Sequence, residues 1–191
     1  VLDLGANIGL HSIILDKCGY NVCSYEPDPF HYGHLRKNIK ANNCLNIEVV
    51  NAAISYRNGK VEFTRVLGNT TGSHITGSKD DPYGKLEKFS VEVKEIEPIL
   101  KWADLVKMDI EGHEKEVFKY TPIKAWEKVD VIVEVENEKS AKIIFSSFKD
   151  SSMNLFSEMT GWSKVQHFNN MPKSYHDGSL FLTHKPKMSW Q

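Results

Sequence analysis

Val1-Leu-Asp-Leu-Gly-Ala-Asn-Ile-Gly-Leu10 opens the chain and decides how the rest is read. Val1, Leu2 and Leu4 make a short apolar run of the kind buried on both faces of a sheet. Gly5 and Gly9 bracket a turn, and Leu10, Ile13 and Ile14 then recur at helical spacing. A strand feeding a glycine turn and a helix is a ligand-holding unit. Glycine admits positive φ and lets a ligand approach without a Cβ in the way. The helix start presents free N–H groups to an anionic group.

Asn7 narrows the ligand. A dinucleotide fingerprint, G-x-G-x-x-G, has its second glycine there, where backbone presses against a pyrophosphate. A side chain at that point favours a ligand without a pyrophosphate, such as S-adenosylmethionine. Asp3, just before the turn, repels phosphates but suits cationic amino and sulfonium groups. Glu26 follows Gly5 by 21 positions, at the end of a second strand (20–25). A carboxylate about 20 residues after such a turn hydrogen-bonds ribose hydroxyls. Pro27 and Pro29 stiffen the turn after it, and Asp28 is placed to cap a helix over 30–42.

A third strand, 47–50, runs into Asn51-Ala-Ala-Ile-Ser55. Small residues there, Ala52 among them, leave room for a flat ring, and the Asn51 amide offers adenine a donor and an acceptor. Strand segments at 61–64 and 90–93 read as a pair. Between them, 67–88 is rich in Gly, Ser, Thr and Asp, carries Pro82, and reads as a substrate-side loop within 64–90. A buried strand, 105–108, ends at Asp109-Ile-Glu-Gly-His113. Three ionisable side chains within five residues at a strand end suit acid–base chemistry. A β-branched strand follows at 129–135, then a helix over 140–148 and two strand-like runs, 164–168 and 178–183, expected to pair antiparallel.

Strands alternating with helices predict an α/β fold with a mostly parallel, doubly wound sheet covered on both faces. Ligands of such sheets sit beyond the carboxyl ends of the strands, which sets 5–9 opposite 109–113. At 191 residues the chain fits one domain, 1–191, with a substantial core. A formal net charge of −1 gives no bulk electrostatic argument for a nucleic-acid partner. No apolar run approaches the ~20 residues of a membrane span. Three cysteines without Cys-x-x-Cys spacing point to a reducing, cytoplasmic setting. The chain starts on Val1, inside a strand, so a preceding N-terminal segment is expected.

Four stretches together carry a resemblance: Val-Leu-Asp-Leu-Gly-Ala-Asn-Ile-Gly, Tyr-Glu-Pro-Asp-Pro, Asn-Ala-Ala-Ile-Ser with a later Asn-Gly, and Val-Lys-Met-Asp-Ile-Glu-Gly-His-Glu. They resemble the FkbM family of S-adenosylmethionine-dependent methyltransferases, over 1–137. The resemblance implies a Rossmann-like class I methyltransferase fold with seven strands, the last reversed, and O-methylation of a sugar, glycan or natural-product hydroxyl. It implies cofactor positions at Asp3, Gly5, Asn7, Gly9, Glu26 and Asn51, with Ala6, Pro27, Ala52 and Asp109 beside them. His11 departs from the aromatic or apolar residue expected after the glycine turn.

Asp109 or His113 is then the expected proton acceptor, with Glu111 beside them; histidine has the better-matched ordinary pKa. A metal-free mechanism is favoured over one in which Asp109 and Glu111, with Glu134 or Glu136, hold a divalent cation. Two other readings stay open on the same fold: a nucleic-acid methyltransferase, and a non-catalytic cofactor-binding module.

Overall fold

The computed structural model describes residues 1–69, 71–79 and 84–188, so Pro82 lies outside the described residues. In chain order the elements are β1 (Leu2–Leu4), α1 (Leu10–Lys17), β2 (Val22–Tyr25), α2 (Pro29–Ala41), β3 (Ile47–Val50), β4 (Ala53–Ser55), β5 (Gly59–Leu67), β6 (His74–Ile75), β7 (Lys85–Glu95), α3 (Ile96–Leu100), β8 (Leu105–Met108), α4 (Glu114–Tyr120), β9 (Asp130–Glu134), α5 (Glu138–Phe148), β10 (Asn154–Ser157), β11 (Ser163–Lys164) and β12 (Ser179–Thr183).

Eight strands form the main sheet in the order β11-β10-β12-β9-β8-β1-β2-β3. The pairs from β3 through β9 are parallel, and β12 runs antiparallel to both β9 and β10. This is the Rossmann-like class I methyltransferase arrangement, with the last strand reversed. β1 is central because Leu2, Asp3 and Leu4 are all buried, which only a strand covered on both faces achieves. The core joins Leu2, Leu4, Val106, Met108, Val131, Val133, Leu180 and Leu182 to the helix residues Phe118, Ile144 and Phe148. The Phe118 ring packs 4.9 Å from Trp126 and edge-on to Phe148 at 5.4 Å. Asp28 caps α2 by accepting the Phe30 N–H at 2.8 Å, with Pro29 in the first turn.

Two expectations need correction. Residues 64–90 are not one loop. β5 and β7 pair in nine-residue antiparallel register from Gly59↔Val93 to Leu67↔Lys85, β6 pairs with β5, and β4 completes a second, four-stranded sheet. Phe63, Val91, Val93 and Ala53 make a small core of its own, so the strands continue through polar sequence that by itself reads as loop. The runs 164–168 and 178–183 do not pair with each other. β10 stands between β11 and β12, and Phe168–Asn170 is a turn of 3-10 helix. Asn154–Ser157 is too short and too polar at its ends to announce itself as a strand.

Candidate active site

A cavity of about 940 Å³ opens at the carboxyl ends of β1, β2, β8 and β9, within the range of small-molecule sites. The second sheet supplies its far wall through Phe63, Ile75, the 71–73 turn and Lys79.

The near wall begins at the glycine turn. Gly5 has φ +78°, and a Cβ there would lie 1.8 Å from the backbone oxygen of Asp109. The β1 and β8 loops therefore touch backbone to backbone, which only glycine permits. Asn7 is also left-handed at φ 52°, a region asparagine tolerates. The Gly5 and Ala6 N–H groups both donate to the Tyr25 carbonyl at 3.0 Å, tying the turn to β2. Gly9, at φ +94°, does not line the cavity; a Cβ there would meet Leu35 Cδ1 at 2.4 Å, so its role is to let α2 approach.

Glu26 joins two turns. Its Oε2 accepts the Asn7 N–H and its Oε1 the Asp28 N–H, both at 2.8 Å. The side chain is 5% exposed at the cavity wall, and burial pushes its pKa up to about 7 against the pull of those two N–H groups. Pro27 and Ala52 line the cavity beside it, and Ala53 and Ile54 continue the wall.

Asn51 and Asp3 do not reach the cavity. The Asn51 amide donates to the Glu26 carbonyl at 2.8 Å and the Pro27 carbonyl at 3.1 Å, so it braces the turn instead of facing a ring. Asp3 is fully buried beneath the glycine turn. It accepts the Ser12 hydroxyl at 2.5 Å, Ser24 donates to Ser12 at 2.8 Å, and Lys107 Nζ lies 3.5 Å from Asp3 Oδ1. The first strand points alternate side chains to opposite faces, and Asp3 takes the face opposite Leu2 and Leu4, against Ser12 of α1.

Asp109 and Glu111 line the opposite wall with Glu114, Glu134 and Glu136. Asp109 Oδ2 is 3.5 Å from Lys107, while its Oδ1 is buried with no hydrogen bond from any described residue. Glu111 sits in left-handed backbone at φ 58° and pairs directly with Lys79, which is also 3.5 Å from Glu136. Burial raises the Glu134 pKa to about 7, helped by the negative charges of Asp109 and Glu111. Glu114 is 3% exposed, accepts the Ile110 N–H at 2.6 Å, and is raised by burial to about 8. Among the described residues, no three His, Cys, Asp or Glu side chains are grouped to hold a metal ion.

His113 is not placed as the proton acceptor. Its Nε2 meets the Ser55 hydroxyl at 2.9 Å and its Nδ1 the Ser78 hydroxyl at 3.3 Å, away from the cavity lining. Burial lowers its pKa to about 4. Glu114, Lys107 and Lys79 are the site residues that motif reading passed over. Glu134 enters the sequence reading only as a candidate cation ligand; it ends the strand next to β8, on the edge where such sheets bind ligands. Lys79 carries no sequence signal, since only the second sheet delivers it.

The cavity fits S-adenosylmethionine on its own features: a buried carboxylate on its wall about 20 residues after the glycine turn, an Asp109 oxygen without a hydrogen bond from any described residue, and carboxylates suited to cationic groups. No helix among the described residues is long and apolar enough to cross a membrane. The chain is similar to Methyltransferase sdnD of Sordaria araneosa, 28% identical over 169 residues that cover 70% of this chain and 65% of that protein. It is also similar to Methyltransferase 1 of Beauveria bassiana (strain ARSEF 2860), 23% identical over 163 residues, 73% of this chain and 65% of that one. The chain thus spans just under two thirds of the length of these relatives. Among solved structures, precorrin-6y C5,15-methyltransferase from Geobacter metallireducens GS-15 aligns with a TM-score of 0.45 at 11% identity, covering 95% of this chain and 76% of that one. Residues 3–167 match the methyltransferase FkbM domain, and the chain belongs to that family.

Proposed function

We propose that this chain is a single S-adenosylmethionine-dependent methyltransferase domain that methylates a hydroxyl of a sugar, glycan or small natural product. The observation that carries the reading is the contact of the Gly5 and Asp109 backbones, which sets the glycine turn and the carboxylate-rich wall on either side of one cavity.

Gly5, Ala6, Asn7, Glu26, Pro27 and Ala52 would hold the cofactor. Each Glu26 oxygen already accepts one N–H and keeps a lone pair for a ribose hydroxyl. Asp109, with an unclaimed buried oxygen, faces the cationic end. When bound, S-adenosylmethionine supplies an electrophilic methyl group on a sulfonium. The chain's task is then to orient the acceptor and remove its proton, and orientation alone contributes several kcal/mol to such transfers. Glu134 is suited to the proton, because a carboxylate raised to about 7 is a better base at neutrality than an ordinary one. The O–H proton passes to a Glu134 oxygen and its bonding pair stays on the acceptor oxygen. The second sheet, through Phe63, Ile75 and the nearby Lys79, walls the acceptor side and limits water there. The same carboxylates work against a polyanionic acceptor, which favours small molecules over nucleic acid.

Calorimetric titration with S-adenosylmethionine and with NAD tests the cofactor, and only the first is expected to bind. Labelled S-adenosylmethionine fed to a host extract, followed by mass spectrometry, is expected to return a product methylated on oxygen. No binding of S-adenosylmethionine sinks the reading.

A further inference from the structure

The carboxylate-rich wall has more acids than bases. Acting on Glu134 are Asp109 and Glu111 from the loop after β8 and Lys79 from the segment after β6, and Glu114 of α4, Glu136 beyond β9 and Lys107 of β8 line the same cavity. Lys107 is taken by Asp3 and Asp109, each at 3.5 Å, and by the Gly5 carbonyl at 3.2 Å. Lys79 is taken by Glu111 and Glu136.

Lys79 is held where it is by its neighbour. The Ser78 carbonyl accepts from the buried Lys115 ammonium at 3.1 Å, and the Ser78 hydroxyl meets His113. Gly112 lets the strands of contact close: a Cβ there would lie 2.9 Å from the Ser78 oxygen and 2.3 Å from Glu136 Oε2. The segment after β6 therefore lies flush on the loop after β8, and His113 acts through Ser78 as a brace.

We infer that Lys79 is a positioning residue for the transfer site: carried in by the second sheet, it occupies Glu111 and Glu136 and leaves Glu134 without a lysine partner among the described residues. This rests on the methyl-transfer reading, in which Glu134 takes the acceptor's proton. It explains why an ammonium beside a separate sheet sits half-buried among the acids of the main one. Burial pulls the Lys79 pKa down, but Glu111 and Glu136 hold it above its ordinary value, so it stays charged at neutral pH. Removing that charge exposes Glu134 to the full repulsion of Glu111 and Glu136.

The test is a carbon-13 titration of side-chain-labelled glutamate in the full chain without cofactor, with Glu134→Gln assigning the Glu134 signal. In Lys79→Met the Glu134 midpoint is expected to rise by about one pH unit, a tenfold gain in proton affinity; Lys79→Arg is expected to keep it near the original value. A midpoint that stays put in Lys79→Met overturns the inference. If Lys79→Met does not fold, Glu111→Gln decides. It frees Lys79 toward Glu134 and removes one negative charge, so the midpoint must fall, and an unchanged or raised midpoint overturns the inference. S-adenosylmethionine affinity, measured on the same samples by calorimetry, keeps the two ideas apart. Lost binding in the unmodified chain counts against methyl transfer alone, and an unmoved Glu134 midpoint counts against Lys79 alone.

Discussion

The missing side chain of Gly5 and the carbonyl of Asp109 occupy one space: a Cβ at Gly5 would lie 1.8 Å from that oxygen. Residues 104 positions apart thus meet backbone to backbone, and the two walls of the cavity are fixed relative to each other by this contact.

Gly5→Ala must push the β8 loop away and also adopt a left-handed backbone. It is expected to cost at least about 2 kcal/mol, or roughly 4–8 °C in melting temperature for a chain of this size. Gly9→Ala is expected to cost less, since the atom in its way is the end of the Leu35 side chain, which can rotate. Thermal unfolding of both variants ranks them, and the reverse order would refute this account of the turn.

Glu26→Gln replaces one accepting oxygen with an NH2 group, so either the Asn7 or the Asp28 N–H loses its partner. An orphaned buried N–H costs about 1–3 kcal/mol. With a ribose contact also weakened, S-adenosylmethionine should bind at least about tenfold less tightly by calorimetry. Asn51→Ala, which loosens the same turn from outside the cavity, should weaken binding by a smaller factor.

Glu134→Gln and His113→Gln separate base from brace. The Glu134 pKa is raised to about 7, so the ionised, accepting form grows in as pH rises through 7, and the transfer rate should rise with it. Glu134→Gln should lower the rate by about 10²-fold or more, remove that limb of the pH profile, and leave cofactor affinity nearly unchanged. His113→Gln should lower thermal stability and keep the limb. Rates measured from pH 5 to 9, on the acceptor that the labelling experiment returns, decide between them.

Glu114→Gln addresses stability. The folded pKa of Glu114 is about 8 against an ordinary value of 4.5. Between those values the unfolded chain is ionised while the folded chain still holds the proton. The stabilisation is therefore complete below about pH 4.5 and is lost as pH rises through 8. The variant keeps an oxygen for the Ile110 N–H and carries no charge, so its melting temperature should gain on the original chain by about 5 °C or more from pH 5 to pH 8. A constant difference across that range would contradict the burial assigned to Glu114.

Local chemistry made much of the cofactor side legible. Glycines at 5 and 9, a carboxylate 21 positions on and a proline-bounded helix start each have one economical reading, because short-range backbone geometry demands those residue types. The acceptor side was harder. Asp109, Glu111 and His113 lie within five residues, and spacing alone does not say which of them faces a cavity; the loop turns His113 toward Ser55 and Ser78 and leaves the other two on the wall. Asn51 and Asp3 lie off the cavity lining for a similar reason, since a polar side chain beside a site can equally brace the backbone behind it.

By itself, the sequence determined the doubly wound sheet, the glycine turn and a carboxylate at the end of the second strand, because hydrophobic period, turn chemistry and strand-to-helix spacing are local properties. Only the tertiary structure decided that β5, β6 and β7 belong to a second sheet, that Lys79 arrives beside it to take Glu111 and Glu136, and that Glu134 lies against Asp109 with a pKa raised to about 7. Charge pairing and burial depend on distances between residues far apart in the chain, and those distances exist only once the two sheets have packed.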